Sequence, residues 1–111
     1  TVMWSFKDLE IVPEVQDRQY QSEGGKHINM PACVGEINYM GQNFIARDLA
    51  NFRQALDTHQ VEKAFVPSIT PGSVAFCVVD RHYGNYEDYI MALAIALKEE
   101  YEAIVEAGFM L

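Results

Sequence analysis

The chain has 111 residues, half of them apolar, which is enough for the core of one small domain. Its formal charge of −8, with 8 Lys and Arg scattered singly from Lys7 to Lys98, argues against a phosphate-binding surface and so against a nucleic-acid partner. No apolar run is long enough to span a bilayer and no charged-then-apolar leader opens the chain, so the sequence reads as a cytoplasmic protein with no membrane partner.

Residues 1–30 mix aromatics, acids and a Gly24-Gly25 pair without a sustained period, and read as an irregular segment. Pro13 interrupts any helix before it and can open a short one over "PEVQDRQYQ". Gly24-Gly25-Lys26 lacks the upstream glycine spacing of a phosphate loop and reads as a flexible turn. "PACVGEINYMG" is short, apolar and bounded by Pro31 and Gly41. It predicts a parallel strand buried along its length, with Glu36 and Asn38 near its carboxyl end.

"QNFIARDLANFRQALDTH" predicts a helix, because Phe44, Ile45, Leu49, Phe52 and Leu56 recur at helical spacing. His59 falls where a cation favours a helix C-terminus. "VEKAFVPSITPGSVAFCVVD" predicts two short extended runs joined by a tight turn at Thr70-Pro71-Gly72-Ser73. Pro67 disfavours the first run as a regular central strand.

"NYEDYIMALAIALKEEYEAIVEAG" predicts a long helix capped by Asn85, with Glu87 and Asp88 in its first turn. Its apolar face is Tyr89, Ile90, Leu93, Leu97, Tyr101, Ile104 and Val105, and Met91 and Ile95 extend the covered surface. Glu99, Glu100, Glu102 and Glu106 read as a solvated face. Gly108 stops the helix, and Phe109-Met110-Leu111 read as the start of a further strand. The order strand, helix, extended segment, long helix, strand is that of a parallel α/β protein.

No dinucleotide, phosphate-loop, serine-hydrolase or zinc-protease signature is present. Cys33 and Cys77 have neither CxxC nor Cys/His spacing and lie in apolar runs, so they read as reduced, buried thiols, with a disulfide between them as the alternative. His27 and Cys33 alone would leave a metal two ligands short. Glu36 and Asn38 lead the candidate substrate-binding residues, since ligands of parallel α/β folds collect beyond strand carboxyl ends. A carboxylate there either binds an amino group or moves a proton, or it pairs with a buried Arg or Lys. Tyr39 adjoins them. Thr70 and Ser73 stand at a loop end, and His82 in "DRHYGNYED" either contacts a substrate or is a surface-loop histidine.

The blocks "GEINYMGQNFIARDLANFRQAL", "VEKAFVPSITPGSV" and "HYGNYEDYIMALAIALKEEYEAIVEAGFML" resemble, in that order, the cobalamin-independent methionine synthase-like family. The nearer likeness is to its single-barrel 5-methyltetrahydropteroyltriglutamate–homocysteine methyltransferase-like members. The resemblance covers roughly residues 31–111 and extends to the Pro13 to Gly25 segment, and its most specific block is "EEYEAIVEAGF", which family members continue into a Gln-Ile-Asp-Asp-Pro strand. It implies a partial (β/α)8 barrel of the uroporphyrinogen decarboxylase and methionine synthase-like superfamily over 31–111, with 1–30 as an insertion.

A whole barrel takes about 250 residues. The chain, which starts at Thr1 and stops inside a strand, is therefore expected to be an internal fragment. The family transfers a methyl or alkyl group to a small thiol held on zinc, with methyl donor and thiol as partners. Its ligands, a His, a Glu and cysteines, lie on later strands, so none is assigned here and the fragment is expected to be inactive and metal-free. The fragment is also expected to self-associate through exposed strand edges. Glu36 stands where the family usually has proline. The alternatives are an epoxyalkane:coenzyme M transferase-like or decarboxylase-like barrel, or a free-standing α/β binding or oligomerisation domain.

Overall fold

The computed structural model of the chain describes residues 13–22, 30–59 and 61–111, and the chain divides into two compact units, Thr1–Pro31 and Ala32–Leu111. Helix α1, Pro13–Ser22, is the described element of the first unit. It starts at the proline because a first helical residue needs no N–H partner and proline's φ is already helical. Gly24-Gly25-Lys26 and His27 lie outside the described residues.

The second unit runs β1 (Ala32–Cys33), α2 (Gln42–Asp57), α3 (Pro71–Cys77), β2 (Val79–Asp80) and α4 (Tyr86–Glu106). Strands β1 and β2 pair in parallel, Ala32 opposite Val79 and Cys33 opposite Asp80. A separate parallel bridge joins Phe65 and Met110. There Val66 N–H donates to Met110 O at 2.9 Å and Met110 N–H to Ala64 O at 3.1 Å. The result is helices with short parallel pairings. A partial barrel is not shown: a barrel joins strands in chain order, whereas β1 pairs with β2 and passes over the Phe65 segment between them.

The expected strand buried along its length is only Ala32–Cys33. Beyond it exposure alternates residue by residue: Cys33, Gly35, Ile37 and Tyr39 are half-buried, while Val34 and Met40 are 79% and 84% exposed. That is the two-residue period of extended backbone with one covered face. Residues 64–69 repeat it, with Ala64, Val66 and Ser68 half-buried and Phe65, Pro67 and Ile69 exposed.

In α2 the expected Ile45, Leu49, Phe52 and Leu56 face the core. Phe44 is exposed instead, with the Arg47 guanidinium 5.5 Å from its ring centre. The Pro71-Gly72 pair does not make a tight turn between strands; it opens α3. Thr70 is the N-cap, its hydroxyl accepting Ser73 N–H at 3.2 Å, and Pro71 takes the first turn. Threonine followed by proline is a helix start, and that physics prevails over the Pro-Gly turn signal.

Helix α4 begins as expected: Asn85 Oδ1 accepts Asp88 N–H at 2.9 Å. Tyr89, Leu93, Ala96 and Ile104 are buried along one stripe. Met91, Ile95 and Val105, expected to be covered, are exposed, because the stripe is narrower than the apolar residues suggest.

The helix closes with Gly108 at φ +83°. Gly108 N–H donates to Val105 O and Phe109 N–H to Ile104 O, at 2.9 and 3.2 Å. These two bonds form a Schellman motif, which glycine permits because it has no Cβ to clash at positive φ. Phe109 then turns into the core beside Leu49 and the completely buried Ile104. Arg53 of α2 lies 4.6 Å over the Phe109 ring and donates to Ala107 O at the helix end. One cation thus meets both a π face and the negative pole of α4.

Candidate functional site

Among the described residues the extended segment from Val34 to Met40 pairs with no strand, and side chains fix its backbone instead. Ile37 N–H donates to Tyr83 Oη at 2.9 Å. Tyr39 Oη donates to Glu100 Oε2 at 2.7 Å, and Ser68 Oγ donates to the other oxygen of the same carboxylate. Gln42 Nε2 reaches both Tyr39 O, at 3.0 Å, and Glu99 Oε2, at 2.9 Å. Glu100 is half-buried and links residue 39, residue 68 and α4. This corrects the reading of Glu100 as part of a merely solvated face, whereas Glu99, Glu102 and Glu106 are exposed as expected. Burial, then the bond to Glu100 and the charges of Glu100 and Glu99, push the Tyr39 phenol up to about 12.

The loop carrying Tyr83 is fixed from β2. Asp80 Oδ1 accepts the N–H groups of His82 and Tyr83, and Oδ2 accepts that of Gly84, each at 2.9 Å. Those bonds, the one from His82 first, hold the Asp80 carboxyl below its ordinary range. The Tyr83 ring lies edge-on to His82 at 4.9 Å and 5.9 Å from the Tyr89 ring. Tyr89 is buried and donates to Val78 O at 2.9 Å; burial first, then nearby Cys33, raises its phenol.

The consequence falls on the other side of residues 34–40. Glu36 and Asn38 are exposed there beside Val34 and Met40, and neither bonds to another described residue. No buried Arg or Lys takes up Glu36 among the described residues. Tyr39 instead points to the covered face and serves to hold the segment. His82 is brought towards Ile37 through Tyr83. Thr70 and Ser73 meet each other at 3.0 Å between hydroxyls and belong to the start of α3. Glu36 and Asn38 thus share the exposed side of the segment, while His82 packs edge-on against Tyr83, which holds Ile37, and Thr70 and Ser73 have a capping role.

A groove of about 230 Å³ lies elsewhere, between Ile45, Leu49 and Phe52 of α2 and the edge of Phe65–Pro67, with Asp48 at its rim. None of the candidate substrate-binding residues, Glu36, Asn38, Tyr39, Thr70, Ser73 and His82, lines it. Among the described residues no three His, Cys, Asp or Glu side chains gather to hold a metal. Cys33 and Cys77 are both free, and Cys33 Sγ donates to Gly35 O at 3.2 Å. No helix among the described residues is long and apolar enough to cross a membrane.

Residues missed by sequence reasoning are Glu100, Ser68, Tyr83 and Asp80. Only Asp80 carried a local signal, since aspartate ahead of a Gly-containing turn accepts backbone N–H groups a few residues on. No family model matches the chain, and no curated protein or solved structure shows significant similarity to it.

Proposed function

We propose that residues 31–111 contribute part of the substrate pocket of a methyl or alkyl transferase acting on a small thiol, built on a methionine synthase-like barrel. The blocks "GEINYMG", "VPSITPGSV" and "EEYEAIVEAGF" support this by resemblance. The observation that carries it is local: Glu36 and Asn38 stand on the open side of a strand extension whose covered side is held by Tyr83 and Glu100. A carboxylate and an amide without partners among the described residues, on a backbone fixed from behind, are available to a polar ligand.

In this reading the Glu36 carboxylate accepts hydrogen bonds from an ammonium or hydroxyl of the substrate. Asn38 both donates and accepts, fixing orientation. Tyr39 positions them through Glu100. In such a family zinc converts the acceptor thiol to a nucleophilic thiolate; its ligands belong to other strands of the barrel, and the 111-residue chain alone is inactive.

The test is S-methylation of homocysteine by a polypeptide that carries this chain within a whole barrel. Zinc-dependent formation of the thioether supports the reading. Release of carbon dioxide from a carboxylated substrate without zinc would move the chain to the decarboxylase branch.

A free-standing parallel α/β binding module is the second reading. One observation favours it: β1 pairs with β2, not with the Phe65 segment, as successive barrel strands would.

A further inference from the structure

Arg81 follows β2, and its N–H donates to Cys33 O at 2.9 Å, so the backbone there still lies in the plane of the β1–β2 pair. Successive side chains of a strand leave on opposite faces. Asp80, opposite Cys33, leaves on the half-buried face, where the N–H groups of residues 82–84 take up its carboxylate. Arg81 therefore leaves on the other face, level with Val34 and on the same side as Glu36 and Asn38. All four of these residues are exposed.

One strand across and two residues along put the Cα atoms of Arg81 and Glu36 roughly 8 Å apart. No ion pair joins them: those among the described residues are Arg47–Asp48 and Lys98–Glu102. The Arg81 guanidinium has no other partner among the described residues. A cation, a carboxylate and an amide thus share one open face at the carboxyl ends of two paired parallel strands, where one small molecule can bridge them. Arg81 is also the sole Lys or Arg from Ala64 to Leu97, and residues 31–46 hold none. In a chain of −8, an anionic group arriving at this end finds its counter-charge in Arg81 alone.

We infer that Arg81 binds the acid head group of the ligand met by Glu36 and Asn38, a deepening that rests on the thiol-transfer reading. The site then selects small thiols bearing a carboxylate or sulfonate over those without one. A guanidinium offers either acid two parallel N–H donors, a geometry that lysine lacks. Its backbone is set by the bond to Cys33 on one side and by the Asp80-braced loop on the other. A thiol that also carries an ammonium meets Glu36 as well, whereas a sulfonated thiol without one meets Arg81 alone.

The test compares thiols in the whole-barrel polypeptide: homocysteine against aminopropanethiol, which lacks its carboxylate, and mercaptoethanesulfonate against uncharged mercaptoethanol. Arg81→Gln lowers kcat/KM about tenfold or more for the anionic thiols and leaves the other two unchanged. Arg81→Lys, keeping the charge without the fork, recovers part of the loss. Lys63→Gln, which removes an exposed charge elsewhere, changes nothing. A loss confined to one anionic thiol upholds the assignment and tells carboxylate from sulfonate. An equal loss on every thiol would make Arg81 a structural residue and overturn it, as would no loss on either anionic thiol. If no thiol is alkylated, the thiol-transfer reading fails, and calorimetric titration with homocysteine and aminopropanethiol then decides on Arg81. Carboxylate-dependent binding weakened about tenfold by Arg81→Gln upholds its role; binding that is absent, or indifferent to that variant, overturns it.

Discussion

Removing the Glu100 carboxylate should release the extended segment from α4. Glu100 accepts from Tyr39 and Ser68 with its two oxygens, and nothing else described links residues 39 and 68. A hydrogen bond to a charged acceptor contributes ~1.5–3 kcal/mol in a dry site. This one is half-buried, so water partly replaces the lost partners, and Glu100→Ala is expected to cost about 2 kcal/mol. Tyr39→Phe removes one of the two bonds and is expected to cost about 1 kcal/mol. Because they share that bond, the double variant should be less destabilised than the sum, by about 1 kcal/mol. Urea denaturation of the four proteins, at constant slope, supplies the cycle. Costs that add to within about 0.5 kcal/mol would refute the shared bond.

The Tyr39 phenol, pushed up to about 12 against an ordinary 10.0, stays protonated longer when folded. Its contribution is complete below pH 10 and is lost as pH rises through 12; a stability curve in that range should flatten in Tyr39→Phe. Asp80 has the opposite sign. Its lowered value means a contribution present above 3.8 and lost as pH falls through the folded value. Asp80→Asn should therefore destabilise at neutral pH and lose that effect in acid. Gly108→Ala should cost ~1–2 kcal/mol from its positive φ alone, because the added Cβ meets only Arg53 Nη2, at an ordinary 3.7 Å; thermal melts read it. Ile104→Ala, at a completely buried site, should cost ~2–5 kcal/mol, measured by urea denaturation.

Helices α2 and α4 were legible because both carry the 3.6-residue period and α4 also carries its caps, Asn85 and Gly108. Those signals are local, as is Pro13 at the start of α1. Helix α3 was also locally written, in Thr70 and Pro71, but seven residues give too little periodicity to outweigh a Pro-Gly turn signal. The extent of β1 was not legible: pairing depends on what lies beside a strand, and Val34–Met40 find side chains there instead of a ladder.

Glu100 shows the same limit at the site. Its partners are 61 and 32 residues away, so its sequence neighbourhood resembles any acidic helix face. Glu36 and Asn38 were legible as a polar pair ending an apolar run. That their side is open, and Tyr39's is not, follows from packing that periodicity alone does not describe.

The central claim is that Glu36 and Asn38 meet a ligand on that open side. Its most direct measurement is kcat/KM for thiol alkylation in a whole-barrel polypeptide carrying Glu36→Gln or Asn38→Ala, beside exposed Ile95→Ala on α4 as the reference. Both site variants should lose roughly tenfold or more in kcat/KM with unchanged unfolding midpoints, and the reference should lose nothing. Site variants as active as the reference would contradict the account.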